Sequence, residues 1–300
     1  MQGSRREFLA TAAVLSGLSV LGNQGIQAME PIDRSHGPHI KLSLAAYSYR
    51  KYLQQEKSMT MMEFLDECAK LGLGAAEPTS YYFPPDADKQ YFLDFKRHAH
   101  LLGLDISGTA IGNSFTSPPG EEREKQLDSL KQWVDNAALF GAPCIRIFAG
   151  NVPKGLSEEQ AIQNVIETTR EACDYAATKG VFLALENHGG VVATPAGMLK
   201  IIEQVDSPWF GVNFDSGNFH TEDPYGDLKK IAPFTINAQI KVEMRPAGAK
   251  RNEPADMRRI IEILREADYR GYVALEYEAG EEPKEAVPRH LDELRQILWG

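Results

Sequence analysis

Three cysteines in 300 residues are too few, and odd in number, for a disulfide framework. Cys68 and Cys173 fall in stretches of helical period and Cys144 opens an apolar run, so buried free thiols are expected. Lys and Arg never cluster into a run, and the formal net charge is −10. A phosphate backbone or an anionic bilayer needs a basic face, so nucleic acid and membrane surfaces are excluded as partners. No Gly-x-Gly-x-x-Gly follows any apolar run, so the nucleotide-binding fingerprint of an open doubly wound sheet is missing. A small neutral or cation-assisted ligand suits this balance, and self-association is left open.

What is present begins with the N-terminus. Ser4-Arg5-Arg6-Glu7-Phe8-Leu9 precedes an apolar, Ala-rich run to Leu21, the layout of an export signal with adjacent arginines. That run is too short to span a bilayer as a mature helix. The pattern predicts a twin-arginine signal over residues 1–28, a tether over 29–40, a folded unit over 41–300 and a periplasmic location. Twin-arginine export carries folded proteins, which agrees with a chain free of disulfides.

From residue 41, short β-type apolar runs alternate with longer segments of helical period. The runs are Lys41–Tyr49, Gly74–Pro78, Leu104–Ile111, Cys144–Ala149, Val181–Asn187, Phe210–Phe214, Thr235–Val242 and Tyr272–Tyr277. The intervening helices are predicted over Met59–Leu71, Asp86–Leu102, Glu121–Phe140, Ser157–Lys179, Pro195–Val205, Tyr225–Ile231, Pro254–Ala267 and Pro283–Leu298. Ser157 with Glu158 and Glu159 opens one helix and Gly180 closes it, as capping chemistry requires. Pro254 is read as a first-turn proline. Eight such units without a composition break predict one closed parallel (β/α)8 barrel, a TIM barrel.

In a parallel barrel the chemistry sits where the strands end. Three of the last four apolar runs, the fifth, sixth and eighth, are followed by a carboxylate: LALENHGG gives Glu186, NFDSGN gives Asp215 and ALEYE gives Glu276. Period-two alternation turns Ala184, Glu186 and His188 to one face, and likewise Ala274, Glu276 and Glu278. Carboxylates aimed into a barrel mouth need counter-charge, because unpaired buried charge is costly. One shared divalent cation would supply it; separate ion pairs with Lys or Arg at the rim are the other solution.

On these residues the chain resembles the xylose-isomerase-like sugar isomerases and epimerases, which include ketose 3-epimerases, hydroxypyruvate isomerase and inosose dehydratase. The resemblance runs from about residue 41 to the end. It implies one metal held by Glu186, Asp215, the side chain at position 239 and Glu276. Position 239, in NAQIKV, is Gln rather than the family's usual His, so the implied ligands are all oxygen and favour Mn²⁺ or Mg²⁺. Asn218 stands where the epimerases usually carry a substrate-binding His, and Arg245, six residues beyond Gln239, matches their substrate-binding Arg. His188 follows Glu186 by two, as in the family's Glu-Asn-His variant. Glu77 and Arg146, at the second and fourth runs, are placed at the mouth as well.

The implied chemistry is proton transfer beside a carbonyl, with Glu186 and Glu276 on opposite faces of the reacting carbon and the metal holding the enediolate. His188, Asn218, Arg245 and Glu77 are expected to bind substrate. The substrate class implied is a free keto-sugar or inosose. A lyase expelling a β-substituent from a 3-keto-glycoside uses the same first step, and a non-catalytic sugar-binding barrel is the third reading.

Overall fold

The computed structural model describes residues 30–300; the predicted signal and its cleavage point lie outside them. Part of the predicted tether is held against the folded unit. The Ile32 amide donates to Pro233 O at 3.2 Å, and Arg270 Nη1 donates to Gly37 O at 2.7 Å.

Eleven strands form among the described residues. They are β1 His39–Ala45, β2 Ala75–Glu77, β3 Asp105–Ile106, β4 Thr109–Ala110, β5 Cys144–Ile147 and β6 Phe182–Glu186. β7 Phe210–Asp215, β8 Thr235–Ile240, β9 Glu243–Met244, β10 Glu253–Pro254 and β11 Arg270–Leu275 follow. Eight α-helices alternate with them: α1 Met61–Lys70, α2 Lys89–Leu101, α3 Glu121–Phe140, α4 Glu158–Lys179, α5 Pro195–Val205, α6 Pro224–Ile231, α7 Met257–Glu266 and α8 Pro283–Trp299.

Nine strands make one parallel sheet in the order β3-β2-β1-β11-β8-β7-β6-β5-β4. The two ends of that order, β3 and β4, are separated only by Ser107 and Gly108. They are halves of one stave, so the sheet is a nearly closed barrel. A parallel bridge from Thr79, two residues past β2, to Ala110 of β4 completes the circuit. The single run predicted over Leu104–Ile111 is thus broken in the middle. At Gly108 a Cβ would meet Cys144 Sγ at 2.9 Å, so the chain is pressed against β5 there.

Capping chemistry sets the helix ends. Thr60 and Glu63 form a capping box on α1, and Ser157 and Gln160 form one on α4. Gly141 and Gly180 close α3 and α4 in the left-handed region, at φ 86° and 69°. Two expectations need correction. The helix read from Pro254 starts at Met257, because Pro254 pairs antiparallel with Glu243 and Asp256 supplies the cap to Arg259. The run read through Tyr49 leaves the sheet at Ala45 and turns into a 3-10 helix. There the Ser48 hydroxyl donates to Leu275 O and accepts from the Tyr277 amide, tying that turn to the end of β11. All three cysteines are free and buried. No helix among the described residues is long and apolar enough to cross a membrane.

Candidate active site

Alternation along β8 and just beyond it turns Asn237, Gln239 and Lys241 into the barrel, one above another. The lower two close a buried amide ring with their neighbours. Asn237 Nδ2 donates to Glu77 Oε2 at 2.8 Å and to Asn213 Oδ1 at 2.7 Å. Gln239 Nε2 donates to Glu77 Oε1 at 2.6 Å, and Gln239 Oε1 accepts from Asn213 Nδ2 at 2.7 Å. Burial pushes the Glu77 carboxyl up, against the pull of its two amide donors. Both Glu77 oxygens are therefore engaged inside the barrel rather than offered at the mouth, where the sequence reading placed them. The Gln239 carbonyl, read as a metal ligand, is likewise occupied by Asn213.

Above this ring the strand ends converge. Lys241, 7% exposed, brings Nζ to 3.2 Å from Asp215 Oδ2, 3.4 Å from Glu276 Oε2 and 3.0 Å from Glu278 Oε2. Burial alone would lower its pKa; the three carboxylates outweigh burial and hold it protonated. Gly217, in the loop after β7, clears the way for its stem: a Cβ there would meet Lys241 Cδ at 2.7 Å and Glu243 O at 3.0 Å.

A second cation serves Glu186. Arg146 on β5 places Nε 2.9 Å from Glu186 Oε2, and Asn218 Nδ2 donates to Glu186 Oε1 at 2.8 Å. Arg146 is fixed by Nη1 donating to Ile111 O at 2.9 Å and by the Phe148 ring, 3.8 Å from its guanidinium carbon. Burial raises the Glu186 carboxyl to about 7, Arg146 opposing and Glu276 reinforcing. Asp215 and Glu276 are raised as well, by burial first, with Lys241 pulling the other way.

The outer residues differ in placement. His188 is exposed, its ring 4.6 Å from that of Phe148. Partial desolvation and the nearby Lys241 and Arg146 charges lower its pKa. Asn218 is half-buried between Glu186 and Lys241. Arg245 is exposed beyond β9, its carbonyl facing His220 Nδ1 at 3.0 Å.

The donor chemistry of these residues decides whether a divalent ion fits among them. Asp215 Oδ2 is buried and accepts no hydrogen bond, the one feature here that suits a ligand oxygen. Its neighbour, however, is the Lys241 ammonium, which also faces Glu276, while Glu186 is taken by Arg146 and Asn218. No group of three His, Cys, Asp or Glu among the described residues is arranged to hold a metal. The set does not fit the ion, and separate pairing with Lys and Arg is the solution found. Lys241 is the residue that sequence reading missed, although period two from Gln239 points it inward.

A hollow of about 750 Å³ lies at the other end of the barrel, where strands begin. Phe182, Phe210, Ile236 and Tyr272 line it, with Glu30, Arg34, Asp206 and Arg270 among its charged residues.

Known proteins place this geometry. A Xenopus laevis protein named "Putative hydroxypyruvate isomerase" is 23% identical over 201 residues, covering 60% of this chain and 72% of that one. The crystal structure of D-psicose 3-epimerase with D-tagatose from Clostridium cellulolyticum H10 superposes with a TM-score of 0.70 at 17% identity, over 86% of this chain and 99% of that one. A crystal structure of the IolI protein with a zinc atom gives a TM-score of 0.69 at 17% identity, over 86% and 98%. At these identities the structures show the fold. The family model described as xylose isomerase-like TIM barrel matches residues 65–297, and the chain belongs to that family.

Proposed function

We propose that this chain is a sugar isomerase or epimerase that enolises a small, unphosphorylated keto-sugar or inosose at the barrel mouth. The observation that carries the reading is the convergence of buried Glu186 and Glu276 from strands on different sides of the mouth, with buried cations beside each. A carbon held between them would lose a proton to one carboxylate and regain one from the other. Burial keeps such carboxyls near the protonation balance that proton exchange at neutral pH needs. Asn218 and His188 border the same space and suit hydroxyl groups of a sugar. Arg245, exposed on its loop, reaches substrate only by turning inward.

Incubation in heavy water with a panel of ketoses, inososes and 3-keto-glycosides, read by NMR, tests this. Deuterium uptake with a new epimer or isomer is expected. Glu186→Gln and Glu276→Gln should each slow uptake by about 10²–10⁴-fold while leaving the circular dichroism spectrum unchanged. Uptake with loss of a β-substituent would make the enzyme a lyase. No uptake, with ligand-induced stabilisation retained, would leave a sugar-binding barrel and sink the proposal.

A further inference from the structure

The positive charge at this mouth is part of the chain. The ligand set implied by family resemblance fails here at each position, for a separate reason. Position 239 is an amide whose oxygen is held by Asn213. Glu186 is held by Arg146 and Asn218. Asp215 and Glu276 share the Lys241 ammonium. A divalent ion bound to the last two would sit beside a resident cation in surroundings that screen like charges poorly.

We propose that Lys241 takes the place of the metal: its ammonium faces the substrate's carbonyl oxygen and stabilises the enediolate, so that the reaction needs no divalent ion. This rests on the enolising reading above. Of its contacts, those to Glu276 Oε2 and Asn218 Oδ1 are long, at 3.4 Å each, so a substrate oxygen can take over an N–H there without dismantling the pairs at 3.0 and 3.2 Å. The step balances within the chain and substrate. A carboxylate takes the proton from carbon, the C–H pair becomes the C=C bond, and the carbonyl π pair moves onto the oxygen facing Nζ. Reprotonation of the same carbon reverses each movement and gives the epimer; for isomerisation the former carbonyl carbon takes the proton, the adjacent hydroxyl becomes the carbonyl, and its proton passes to the oxygen facing Nζ. Arg146 acts as a positioning residue, fixing Glu186 through its 2.9 Å contact.

The full chain, purified and treated with chelator, is tested by elemental analysis, thermal melting and deuterium exchange on the same sugar panel. The expected results are metal far below one ion per chain and melting unchanged by chelator or by added Mn²⁺, Mg²⁺ or Zn²⁺. Exchange should be equal with chelator and with Mn²⁺. Lys241→Met, which removes the ammonium from among the carboxylates, should lose exchange with chelator and with Mn²⁺ alike. Wild-type protein holding near one tightly bound ion per chain, melting lower in chelator, or exchanging only with metal would overturn the proposal. Those wild-type measurements decide the matter even where Lys241→Met does not fold. A metal-free wild type that exchanges with no sugar would instead sink the enolising reading, and the metal content would still stand as its own result.

Discussion

Glu186 is pulled in two directions, and its balance can be measured. Burial raises its carboxyl to about 7 although Arg146 Nε lies 2.9 Å away. The folded state therefore favours the protonated acid more than the unfolded chain does. Its contribution to stability is complete below the ordinary value of 4.5 and is lost as pH rises through about 7. Glu186→Gln cannot ionise, so relative to wild type it should gain stability progressively across that window, whatever constant offset comes from disturbing Arg146. Urea unfolding at a series of pH values reads the difference. A difference that stays flat would mean an ordinary carboxyl. As a base, Glu186 must be ionised, so the exchange rate should climb over the same range. The identity of Glu186, Asp215 and Glu276 as strand-end acids was legible from the sequence, because an apolar run ending on a carboxylate is a local pattern. Their counter-charges were not. Arg146 lies 40 positions before Glu186 and Lys241 lies 26 after Asp215, so only the closed sheet brings each pair together.

At the scale of elements, β7 and β8 with their following loops form the working half of the mouth. β8 presents Asn237, Gln239 and Lys241 at successive inward positions, the lower two bonded to neighbouring amides and Glu77, the third to acids. Gly217 in the β7 loop makes room for that third side chain, since a Cβ would strike Lys241 Cδ at 2.7 Å. Gly217→Ala should cost about 1–3 kcal/mol and displace the ammonium, reducing exchange. Gly74→Ala, where a Cβ would meet nothing within 4 Å, is the control and should change neither. Equal effects from the two substitutions, by denaturation and exchange, would show that the clearance does not matter. Most elements were legible because hydrophobic period and caps are local: α3 and α5 start and end where the sequence predicts. The misread ends were decided by partners far along the chain. Ser48 meets the end of β11, and Pro254 is drawn into a pair with Glu243, eleven positions earlier.

For the molecule as a whole, the eight-unit order predicted a closed barrel, and the parallel sheet with alternating helices is that barrel. Its three free thiols, all buried, need no oxidising step for folding. That property would suit export in the folded state, which we propose from Arg5 and Arg6. Replacing both with Lys should hold the protein in the cytoplasm, judged by cell fractionation, while the purified protein keeps its melting temperature. Unchanged export would rule out the twin-arginine route.

The ion pairs at the mouth also set a charge balance. Glu186, Asp215, Glu276 and Glu278 face only Arg146 and Lys241 in their pairs. With every acid ionised the group is two charges negative, and with two protons retained it is neutral. A phosphate group brought to this mouth would meet no unspent cation and a ring of carboxyl oxygens. On the reading proposed above, such a mouth would select against phosphorylated sugars on electrostatic grounds.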